Sequence, residues 1–182
     1  MFTIPVGHFA SVAGGFDPIS AASLGASAST SASTTYTIGS LTLTQNTLLV
    51  CDIVSTANTD AEPDSVNIDT TVTTALSSVA TQTYSMGPNG RVIRWAAVFT
   101  AAGESSKTLT VTWPANRNNC ILHLMEFTNV KLDSGVGGAI SESVTGSGTA
   151  ATTASCALGG ITATNANVAL LGLDIQTSAP RS

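Results

Sequence analysis

At 182 residues, with a formal net charge of −5 and only 9% charged residues, the chain can bury a substantial core yet carries far less charge than the roughly 25% usual for a globular protein. No Lys or Arg precedes Arg91, and no basic stripe is interleaved with aromatics, which argues against nucleic-acid binding. No run approaches roughly 18 consecutive apolar residues, so no membrane span is expected, and the N-terminus lacks the basic segment of a secretory signal.

The missing charge is replaced by Ser, Thr, Ala and Gly, which suits either a surface covered by partners or the neutral, hydroxyl-rich exterior of a secreted protein. Cys51, Cys120 and Cys156 lie far apart, each inside an expected strand. Their odd number and the lack of a CxxC pair point to small buried hydrophobes, although one pair bridging a sandwich stays open.

In chain order, residues 1–16 form an apolar arm. Phe2, Ile4, Val6, Phe9, Val12 and Phe16 are the candidate interface residues, and Pro5, Gly7, Gly14 and Gly15 oppose a helix. Asp17, Pro18 and Gly25 then predict a helical turn or two over 18–24. Residues 26–35 are low-complexity and are expected to be a spacer. The reading therefore divides the chain into an arm with its spacer over 1–35 and a β domain over 36–182.

The domain opens with expected strands over 37–44 and 46–55, joined at Gln45 and Asn46. A polar loop follows, then an alternating strand over 65–75 and another over 77–86. The stretch 91–130 organises the rest. Ile93, Trp95, Ala97 and Phe99 alternate with their neighbours, and Leu109, Val111 and Trp113 alternate with threonines, which is strand periodicity. The run 120–127 is apolar on both parities, as a central strand covered on both faces would be. A Gly-rich connection over 132–139 leads to further strands over 139–146, 151–160 and 167–175. Short strands at roughly ten-residue spacing predict an all-β antiparallel sandwich, jelly-roll or Ig-like, with Ile93, Trp95, Phe99, Leu109, Val111, Trp113, Leu122, Leu124 and Phe127 in its core.

From about Ser40 to Ile175 the order of these features resembles a β-sandwich family of phage virion proteins. The points of similarity are TLLVCDIVS, RWAAVF, KTLTVTW, EFTNV and the later SVTGSGTAATTASCAL and NVALLGLDI. The resemblance implies capsid decoration or cement proteins, or alternatively tail or fibre modules that bind host-surface glycans. It brings no catalytic residues. It also implies a virion location after synthesis in the host cytoplasm, with the major capsid protein or another virion protein as partner. A homo-oligomer is expected, guessed as a trimer. The arm would add to a neighbour's sheet edge, or else fold back on its own sandwich.

The residues themselves show no enzyme signature, and no catalytic residue, cofactor or metal is expected. There is no GxSxG elbow, and a Ser–His–Asp triad would have to use His123, which sits mid-strand. Asp60, Glu62 and Asp64 alternate in one loop but lack the spacing of a calcium loop. Asp52 and Glu126 are the acids embedded in apolar strands. They would have to face each other to act as a glycosidase pair, and the expected alternative is that each lies at a strand end or pairs with a base such as Arg94. Trp95 and Trp113 share the parity of aliphatic residues, so they are read as core rather than as a sugar platform. Loops at 56–64, 86–91 and 114–119 hold no aromatic, which favours decoration over glycan binding.

Overall fold

The computed structural model describes residues 19–57, 61–85 and 89–140. The interface residues of the arm, from Phe2 to Phe16, lie outside the described residues, as do Cys156 and nearly all of the strands expected after 138.

Nine strands and one short helix are described: β1 Ser20–Ser29, β2 Ser33–Leu43, β3 Thr47–Ala57, β4 Ser65–Ile68, β5 Thr74–Ala75, β6 Ser77–Ser85, β7 Asn89–Phe99, β8 Glu104–Arg117, β9 Asn119–Thr128 and α1 Gly135–Ala139. They form a five-stranded sheet in the order β1-β9-β3-β7-β6 and a four-stranded sheet in the order β2-β8-β4-β5. Every described pairing is antiparallel. The expected all-β sandwich is therefore the observed architecture.

The main core lies between the sheets. Alternation sends Leu49, Cys51 and Ile53 of β3, Ile93, Ala97 and Phe99 of β7, and Leu122 and Leu124 of β9 inward. There they meet Ile38, Leu41, Leu109, Val111 and Trp113 of the other sheet. Each fully buried aliphatic side chain contributes about 1.5–3 kcal/mol. Trp95 is only partly buried against this core. Phe127 belongs to a second cluster with Leu48, Val50, Ala96 and Met125, packed against Val130, Leu132, Val136, Ala139 and Ile140. The central strands are thus apolar on both parities because the segment after β9 folds over one end of the outer sheet face.

Five expectations are corrected. Residues 18–24 hold no helical turn over their described part and 26–35 are no spacer, because β1 occupies Ser20–Ser29 and β2 starts at Ser33. β1 runs along β9 from Ser20↔Thr128 to Ser29↔Cys120. The weak local signal of Ser and Ala yields there to the demand of the β9 backbone for partners. Gly25 caps no helix. A Cβ on it would lie 2.7 Å from Ile38 Cγ2, so glycine lets β1 close onto β2.

The strand expected over 65–75 is broken into β4 and β5, and Val72 is 84% exposed. Polar bonds hold the intervening turn. Asp69 accepts the Thr108 N–H, Thr70 Oγ1 lies 2.8 Å from Thr74 Oγ1, and Glu104 accepts from the Thr71 N–H and hydroxyl. The Gly-rich connection contains α1, with Ile140 N–H on Val136 O at 2.8 Å. The loop expected over 114–119 is mostly strand. β8 continues to Arg117, which is 1% exposed and stacks 4.5 Å from the Trp113 ring centroid.

Candidate functional site

The outer face of the five-stranded sheet carries the polar residues that the core does not absorb. β9 lies between β1 and β3, so one face of β9 presents Ile121 and His123 before it reaches the covered Met125 and Phe127. His123 is in register with Ala26 on β1 and Asp52 on β3, and Asp52 is in register with Arg94 on β7. A row of side chains therefore crosses four strands on one face.

Within that row, Ser23 Oγ lies 2.9 Å from His123 Nε2. Ser23 is in register with Met125 and so stands diagonally from His123 on the same face. A shift in the β1–β9 ladder between Ser23 and Gly25 makes Leu24 the extra residue. Such bulges bend a strand and re-aim side chains. Leu24 packs against the main core, while Ser23 stays exposed on the outer face. On the other side of His123, Arg94 donates to Asp52 through Nε to Oδ1 at 2.6 Å and through Nη2 to Oδ2 at 2.8 Å. This two-point guanidinium–carboxylate fork fixes the carboxylate orientation beside the imidazole.

The structure thus brings Ser23, His123 and Asp52 onto one face, where sequence spacing offered no Ser for His123. Ser23 was hidden because 18–24 reads locally as a helical turn, and its diagonal approach to His123 follows only from the β1–β9 register. The Asp52–Arg94 pairing was anticipated. Chemically, the row offers an exposed hydroxyl on an imidazole nitrogen, with a held carboxylate in the next strand.

Asp52 and Glu126 do not face each other. Asp52 stands on the outer face, whereas Glu126 is in register with inward-facing Leu49. Glu126 is 7% exposed, and it accepts from the Thr44 N–H at 2.9 Å and the Thr44 hydroxyl at 2.8 Å, closing the β2–β3 connection. The two-carboxylate geometry of a glycosidase is absent from this pair. Of the acidic loop, Asp60 lies outside the described residues. Glu62 accepts from the Thr81 hydroxyl at 2.9 Å, and Asp64 donates its backbone N–H to Thr112 O at 2.8 Å. Among the described residues no group of three metal-ligating side chains gathers.

Trp113 is 2% exposed, as a core residue should be. Cys51 and Cys120 are buried free thiols. Burial pushes the Cys51 thiol well above its ordinary range and the Cys120 thiol up to about 12, with the Arg117 charge pulling Cys120 the other way. Neither is poised as a thiolate nucleophile. Comparison with known protein families, curated proteins and solved structures finds no match to this chain.

Proposed function

We propose that this chain is a structural virion protein, a β-sandwich that decorates or cements a phage capsid by strand-edge association. The observation that carries this reading is the side of the sandwich formed by β1 and β2. Among the described residues these are the outer strands of their two sheets, and residues 19–51 contain no charged residue and no proline. Edge strands of freely diffusing proteins are ordinarily guarded by Lys, Pro or inward-pointing charge, because an open ladder recruits further strands. A long unguarded edge suits a protein whose edge is meant to be occupied.

The low overall charge and the resemblance in strand order to virion sandwiches support the same reading. In it, residues 1–16 supply the strand that joins a neighbour, with Phe2, Phe9 and Phe16 as anchors, and the partners are a capsid protein and further copies of this chain. The glycan-binding alternative draws nothing from the described loops, since 114–117 is strand and Arg117 is buried.

The test is immuno-electron microscopy of particles from the encoding phage, together with sedimentation of the purified chain. Labelled heads and a concentration-dependent oligomer are expected, with both lost on deletion of residues 1–16. Unlabelled particles and a monomer at all concentrations would overturn the reading.

A further inference from the structure

We propose that Ser23 is a histidine-activated nucleophile, accepting acyl groups from small soluble esters on the open outer face of the five-stranded sheet. The first support is geometric. Ser23 Oγ lies 2.9 Å from His123 Nε2, within the reach a nucleophile needs from its general base. With the imidazole proton on Nδ1, Nε2 accepts from the Ser23 hydroxyl.

The second support is the bulge at Leu24, an irregularity of the kind found beside active sites: Ser23, in register with Met125, reaches the imidazole diagonally on the same face although Ala26 is the residue in register with His123. The third is Asp52, directly opposite His123, whose Cβ in such a pair stands about 4.5–5.5 Å away. Asp52 is a positioning residue. Its carboxylate, held by Arg94 at two points, places a fixed negative charge on the strand next to the imidazolium that forms when the serine proton is taken. Ser23, Asp52 and Arg94 are the polar and charged groups that flank His123 from the neighbouring strands of the row.

The step balances without any further reagent. Ser23 Oγ attacks the ester carbonyl carbon and its proton passes to His123 Nε2. The carbonyl–alkoxy bond then breaks, and the alcohol leaves with the proton returned from Nε2. The products are an O-acyl Ser23 and a free alcohol.

The experiment treats the full chain with p-nitrophenyl acetate and reads acetylation by peptide mass spectrometry. Ser23 is expected to acetylate at least about tenfold faster than exposed Ser20 of the same strand. His123→Gln should slow it by at least about 100-fold, the lower bound for losing a general base. Asp52→Asn should slow acetylation of Ser23 while leaving that of Ser20 unchanged. His123 and Asp52 are not core residues, so circular dichroism should show both variants folded. Should His123→Gln misfold, the Ser23-to-Ser20 ratio in the wild type still decides. Equal labelling of Ser23 and Ser20, or an unchanged rate in folded His123→Gln, would overturn the proposal, and an unchanged Ser23 rate in folded Asp52→Asn would remove Asp52 from it.

Discussion

Ser55 shows how a single hydroxyl can oppose the fold around it. It faces inward from β3, is 0% exposed, and its Oγ has no hydrogen-bond partner. A buried hydroxyl without a partner carries an uncompensated desolvation cost, whereas its alanine analogue carries none. Ser55→Ala should therefore raise stability by about 1 kcal/mol, seen as a higher urea midpoint with an unchanged slope. A lower midpoint would mean that the hydroxyl is satisfied in solution. Polar residues of this kind mark the limit of sequence reading. Arg94 as a partner for Asp52 was legible, because each sits among apolar neighbours and each needs an opposite charge. Ser55 and Ser23 were not legible, because nothing in a Ser-rich chain distinguishes one serine from the next before the register is known.

At the scale of elements, legibility followed the strength of alternation. β3, β7, β8 and β9 announce themselves through large apolar residues at period two, and their inward sets fill the main core. β1 has no such signal, since SAASLGASAS offers one large apolar side chain and its strand state comes wholly from pairing with β9. Its glycine records that tertiary origin. The Cβ of an alanine at position 25 would meet Ile38 Cγ2 at 2.7 Å and Leu41 Cδ2 at 3.4 Å. Ile38 is buried and branched at Cβ, so its Cγ2 methyl has little room to yield. Gly25→Ala should cost about 1–3 kcal/mol by overpacking. In an Ile38→Ala background the same change should cost much less, a coupling that a double-mutant cycle measures directly. Equal costs in the two backgrounds would place the penalty in the backbone instead of the contact.

Across the whole molecule, one core between two sheets ties pH to stability through the thiols it encloses. Cys51 faces inward from β3 and Cys120 from β9, and burial raises both above the ordinary thiol range, Cys120 to about 12. An unfolded thiol titrates near about 8.5. The neutral thiol is thus favoured by folding, and the resulting stability is fully present below about pH 8.5 and is lost as pH rises from there towards the folded-state values. Each thiol can contribute up to about 1.4 kcal/mol of loss per pH unit in that window. Tyr36 acts in the same direction at higher pH. Burial raises its phenol, although the Ser33 N–H that it accepts works the other way. Urea midpoints under reducing conditions should therefore be level from about pH 7 to 8.5 and fall steadily from there to pH 10.5. The double variant Cys51→Ala, Cys120→Ala should start from a lower midpoint, because each change removes buried volume, and should decline less steeply. Parallel declines in the two proteins would assign the alkaline loss to groups other than these thiols.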